Sequence, residues 1–196
     1  MECGESLVPH VRYHNAVSVS PEVNTKAYHD AFERMPIARA AAQGVYRQAG
    51  RILIASNNTE FEYLVAVNAR TGALVVDNLH RTASRAMTGF NAEEMARVQA
   101  CRDDVVLVHN HPASKPPSYR DVHTAATYSC VRASVVVGHD GSVWWVSVDD
   151  ADIADALESH YNDYKDDLGD FAEVKALNEV LDDRKLDKLL KVRRLR

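Results

Sequence analysis

VVLVHNHPASKPPSYRDVHTAAT, residues 105–127, decides the architecture. Its four aliphatic residues, Val105 to Val108, are an uninterrupted apolar run of the kind that forms a strand buried on both faces. The run ends on His109-Asn110-His111, and Pro112 closes it. Residues i and i+2 of a strand share a face, so His109 and His111 send their imidazoles the same way. Pro116 and Pro117 make a turn. Ser118 then stands where a helix N-cap belongs, with Asp121 at the Ser-x-x-acid spacing of a capping box. The rim of a sheet beside a helix N-terminus is where α/β proteins build their sites.

Outward from this stretch, the period of the pattern alternates between strand and helix. Downstream, RASVVVGHDGSVWWVSV (132–148) reads as two strands around an Asp140-Gly141 turn, with Trp144 and Trp145 on opposite faces. Upstream, EFEYLVAVN (60–68) and ALVVDNL (73–79) are strands of a hairpin turning at NARTG, and 80–89 is a loop. Asn91 caps a helix with Glu93 and Glu94 in its first turn. From Thr25 the spacing is helical, interrupted at Pro36 and ended by Gly50, leaving RILIAS (51–56) as a short apolar run. After Val148 the chain reads as helix to its basic, leucine-spaced end, RKLDKLLKVRRLR (184–196). The expected fold is α/β: one mixed sheet between helices over 51–148, an arm and helix over 1–50, and a helical extension over 149–196.

Composition narrows the function. The chain is 46% hydrophobic and 26% charged with a net charge of -5, which argues against a general nucleic-acid binder and leaves the basic end as the one segment suited to phosphates. No segment approaches the roughly 18 apolar residues of a membrane helix. The start, MECGESLVPHVRYHN, has no secretory pattern, and Cys3, Cys101 and Cys130 are scattered. A cytoplasmic protein with reduced thiols is expected.

Two His and one Asp are a zinc-ligand set that leaves a fourth position open, as hydrolytic sites do. Such a site needs a general base close to the metal but not bound to it, and a donor for the oxyanion. Ser118, between His111 and Asp121, suits the donor. Glu60 and Glu62, two acids opening an otherwise apolar strand, suit the base.

His109-x-His111-Pro112 followed by Pro117-Ser118 and Asp121 resembles the signature of the JAMM (MPN-plus, or JAB-domain) metalloproteases, and HNHP is similar to its bacterial branch of RadC-like and phage- or toxin-associated domains. The resemblance covers about residues 51 to 148. It implies a JAB/MPN-like curved mixed sheet between helices, with Zn2+ held by His109, His111 and Asp121. It also implies a Glu as base, Ser118 at the oxyanion, and hydrolysis of a peptide or isopeptide bond in a protein or peptide substrate. Counting back from Gly72 points to Glu62 as the base, and counting from Asn68 points to Glu60; Glu62 is taken first. The chain departs from the family at one point. The loop between His111 and Ser118, residues 112–117, is one residue shorter than the common pattern, which weakens any transfer of substrate preference.

The alternative function is a JAB-fold interaction or structural module whose metal site does no chemistry; a metal nuclease rests only on HNHP and the basic tail. His80, His123, His139 and His160 are expected at the surface or in caps, with His123 turned away from the site. One tryptophan is expected in the core, the other free to line a groove. The basic tail is expected as an amphipathic helix packed on the domain or on a second copy in a homo-oligomer.

Overall fold

The apolar run singled out above is the central strand β5 (Val105–His111), six of its seven residues buried. The computed structural model describes residues 17–81, 84–85, 88–186 and 188–196. Cys3 and the first 16 residues of the expected arm lie outside them.

Around β5 stand β2 (Leu64–Asn68), β3 (Leu74–Asp77), β6 (Val131–Gly138), β7 (Val143–Val148) and β8 (Leu190–Arg194). They form an open mixed sheet in the order β3-β2-β5-β6-β7-β8. β5 and β6 are parallel, and every other neighbouring pair is antiparallel. Parallel neighbours need a crossover. Here it is α4 (Tyr119–Thr127), whose N-terminus is thereby brought to the end of β5. The remaining helices are α1 (Lys26–Glu33), α2 (Arg39–Ser56), α3 (Ala92–Gln99), α5 (Asp152–Leu168) and α6 (Ala172–Asp182). Among the described residues the fold is therefore α/β, six helices on a six-stranded sheet.

Each face of the sheet has its own core. Val65, Val67, Val106 and Val108 pack with Val45, Ala49 and Ile52 of α2 and with Tyr28 and Phe32 of α1. The alternate residues, Leu64, Ala66, Val105 and Leu107, pack with Val98 of α3, Val122 of α4, Ile153 and Leu157 of α5 and Val180 of α6. Trp145 joins the first core, whereas Trp144 lies under the Arg194 guanidinium, 5.6 Å from its ring centre, rather than lining a groove. α2 comes close enough to the β2–β3 turn that a Cβ on Gly44 would sit 2.3 Å from the Gly72 carbonyl oxygen. Gly72 itself holds a φ of 72°, so both positions require glycine.

Four sequence expectations are corrected. Gly50 does not end the helix: α2 continues through RILIAS to Ser56, because Ile52 and Leu53 continue its buried stripe while Ile54 faces water. EFEYLVAVN is not one strand: it breaks at Tyr63, and β1 (Phe61–Glu62) leaves the main sheet to pair with β4 (Ser84–Arg85), inside the expected loop. The basic tail ends not as a helix but as β8, whose residues 190–194 add to the open edge of β7. His139 is not at the surface but fully buried. His80, His123 and His160 are at least partly exposed, as expected.

Candidate metal centre

Odd-numbered residues of β5 face α4, so His109 and His111 meet the first turn of that helix. Three ligand atoms converge there. His109 Nε2 lies 2.9 Å from Asp121 Oδ1, His111 Nε2 lies 3.4 Å from Asp121 Oδ2, and the two Nε2 atoms are 3.2 Å apart. Tetrahedral ligands on bonds of about 2.0–2.1 Å sit roughly 3.3 Å from one another, so the set has the spacing of a zinc site. A hydrogen on one Nε2 can bridge to the lone pair of the other. The same three side chains could hold a metal ion.

The surroundings orient each ligand. His111 Nδ1 is 2.9 Å from the Lys115 carbonyl, which can only accept; Nδ1 therefore carries the hydrogen and Nε2 presents its lone pair. Ser114, at a φ of 54°, folds the intervening loop: its N–H donates to the His111 carbonyl, and its hydroxyl accepts from the Asp140 N–H. The expected capping box is present. Ser118 N–H and Oγ–H both donate to Asp121 Oδ2, at 2.6 and 2.8 Å, and Ser118 Oγ accepts from the Asp121 N–H. The cap thus holds one carboxylate oxygen and leaves Oδ1 toward His109. In this arrangement the Ser118 proton belongs to Asp121, so oxyanion donation would require that hydroxyl to turn.

The electrostatics are those of a buried ion cluster. Burial alone would lower the His109 pKa, but the charge and hydrogen bond of Asp121, helped by Glu62, hold it above its ordinary value. His111 is lowered, by burial and by the neighbouring His109. Burial would raise Asp121, yet the two imidazoles and the Ser118 N–H hold its carboxyl well below the usual range. Glu62 goes the other way. Burial, opposed by His109 and reinforced by Asp121, pushes it up to about 7.

Both candidate bases, Glu60 and Glu62, line the cavity that contains the three ligands. Glu62 is the one that His109 and Asp121 act on together with burial. What holds Glu62 there is Asn110, a residue that sequence reasoning passed over. Its side chain points to the opposite face of β5, where Oδ1 accepts from the Tyr63 N–H at 2.9 Å and Nδ2 donates to the Phe61 carbonyl at 2.9 Å. One carboxamide therefore clasps the backbone on both sides of Glu62. Asn110 Nδ2 also reaches His139 Nε2 at 3.3 Å, which accepts a second bond from Ser56 Oγ at 2.9 Å. His139 Nδ1 donates to the Val17 carbonyl at 2.7 Å, and Ser20 N–H donates to the His139 carbonyl. Burial lowers the His139 pKa, and the neutral ring completes the network. An Asn following a buried apolar strand run is the signal that could have found it, since a buried amide needs partners.

A second group of metal-ligand types, His29, Asp30 and Glu33, lies on α1, but Asp30 is bonded to Lys26 at 2.6 Å, and Glu33 is exposed. His123 turns from the site to pair with Glu158 at 2.9 Å.

No protein-family model matches the chain, and neither a curated protein nor a solved structure matches it.

Proposed function

We propose that the chain is a zinc-dependent hydrolase that cleaves a peptide or isopeptide bond, as the resemblance to JAMM metalloproteases implies. The observation that carries this is the convergence of His109 Nε2, His111 Nε2 and Asp121 within 3.4 Å of one another, in a cavity also lined by Glu62, whose carboxyl burial pushes up to about 7. A structural zinc site is closed by four protein ligands; three leave room for a reactant. No fourth ligand type joins the group among the described residues.

Each residue then has a task. His109, His111 and Asp121 hold the metal, which supplies Lewis acidity and a lowered pKa for water. Glu62, near neutrality and not a ligand, takes a proton in its carboxylate form and returns it to the leaving amine. Glu60 lines the same cavity. Ser118 orients Asp121 and has a hydroxyl that can be turned to the oxyanion. Asn110 fixes the height of Glu62 through the Phe61 and Tyr63 backbone. A protein or peptide is the substrate class that this chemistry and the open cavity support.

Elemental mass spectrometry on protein purified without an affinity-metal column tests the first half. One zinc per chain in the wild type and none in His111→Ala is expected; a wild type without metal after zinc dialysis removes the hydrolase. Glu62→Gln tests the second half. It should keep its zinc and lose cleavage of a peptide mixture by at least about a hundredfold. Zinc retained with full cleavage would move the base elsewhere. Zinc with no cleavage even in the wild type would leave a metal-stabilised module.

A further inference from the structure

The cavity at the metal centre does not stop at the ligands. It encloses about 550 Å³ and continues from His109 back along β5 over a floor of Leu64, Leu107 and Ser134. The register explains this floor. Leu107 lies two residues before His109 on the same face, about 7 Å farther in. Leu64 is the cross-strand partner of His109, and Ser134 is that of Leu107. One wall is Phe90 and Met95, at the start of α3. The other is Thr124 and Tyr128, which follow Asp121 by one and two turns on the same side of α4.

The two ends of this cavity differ in chemistry. Among the described residues, the charged lining residues besides Asp121 itself are Glu60, Glu62, Lys115 and Arg120, all in the segments around the ligands. Among the described residues, the inner end presents aliphatic, aromatic and thioether surface with three hydroxyls and no charge. Phe90, Met95 and Tyr128 are only half-buried, so part of their apolar surface remains available to an occupant. A charged side chain placed there would lose its hydration without a counter-ion, whereas an apolar one would gain by burial. Met95 lends the wall adaptability.

We propose that this inner groove is a specificity pocket for a bulky, uncharged apolar side chain, of the size of leucine, methionine or phenylalanine, on the residue flanking the bond presented to the metal ligands. The proposal rests on the zinc-hydrolase function. It sets this chain apart from an enzyme that accepts a glycine tail, since glycine would leave the groove unfilled.

Glycine, leucine and lysine hydroxamates share one metal-chelating group and differ only in the side chain. They are titrated calorimetrically into the zinc-loaded full chain, after its zinc content has been measured. Leucine hydroxamate should bind roughly tenfold or more tighter than glycine hydroxamate, from burial of the side chain, and lysine hydroxamate no tighter than glycine. Met95→Trp, which fills the groove from a half-buried position, should collapse the leucine-to-glycine ratio toward one. Equal affinity for glycine and leucine, or a ratio unchanged in Met95→Trp, overturns the pocket and leaves the metal centre standing. Failure of all three to bind a protein that holds no zinc overturns the hydrolase and the pocket together.

Discussion

The two faces of β5 end in polar residues, and they differ in what those residues lack. On the even face, Asn110 spends its oxygen on Tyr63 N–H and its amide hydrogens on the Phe61 carbonyl and His139, while His139 spends both ring nitrogens within the protein. Both ring nitrogens of His139 and both polar atoms of the Asn110 side chain have partners within the protein, and burial disfavours the charged ring. On the odd face, His109, His111 and Asp121 are as closely packed, but the two Nε2 atoms point at one another and at a carboxylate. The even face is a closed hydrogen-bond network that holds the strand end together. The odd face gathers two imidazoles and a carboxylate whose ligand atoms could hold a metal ion. Burial of a histidine alone thus separates nothing; the bookkeeping of its nitrogens does.

Three changes would test this contrast. Asn110→Ala has the largest expected effect, a loss of about 2–4 kcal/mol in denaturant unfolding, because it strands the Phe61 carbonyl and the Tyr63 N–H together. Zinc stoichiometry should survive it. If the metal is lost as well, the two faces are one cooperative unit. Ser118→Ala, on the other face, removes a cap worth about 1 kcal/mol and one of the bonds on Asp121 Oδ2; calorimetry should show zinc affinity weakened by about tenfold.

The third effect is on pH dependence. Glu62 has its folded pKa raised to about 7, so the metal-free folded state binds more protons than the unfolded chain between the usual carboxylate range and about pH 7. Its contribution to stability is present below that window and is lost as pH rises through it. Thermal unfolding of the metal-free protein across this window should show the decline, and Glu62→Gln should flatten it. A bound cation, by favouring the carboxylate, should also flatten it.

The odd face was legible in the sequence because its determinants are local. VVLV sets the strand, the i, i+2 rule pairs the histidines, and the Ser118–Asp121 box starts the helix that carries the third ligand. The even face was not, since the partners of Asn110 lie 47 and 49 residues upstream and those of His139 lie 83 and 122 residues away. His139 in a GHDGS turn looks solvated until Val17 and Ser20 cover it. Gly50 was misread for a related reason: a glycine inside a helix is tolerated when the residues beyond it, Ile52 and Leu53, have a core to enter. The tail misled through its leucines. Leu186, Leu189 and Leu190 keep helical spacing, and the alternation of Leu190 and Val192 with Lys191 and Arg193 is too short to outvote them until β7 offers an edge.

The arm that covers His139 is itself fastened by the far end of the sheet. Glu22, in the turn that follows Ser20, forms an ion pair with Arg196, and the same guanidinium bonds to the Gly141 carbonyl. The Arg34 guanidinium bonds the Leu195 carbonyl at 2.5 Å. Glu22 and Arg196 are 174 positions apart, a separation at which loop closure delays contact until most of the chain is in place. In folding, then, the strand bearing the histidines can assemble early from local pairings, but the arm that brings Val17 to the cavity wall is secured only at the end. During synthesis on the ribosome the ligand set would be complete before its cavity is.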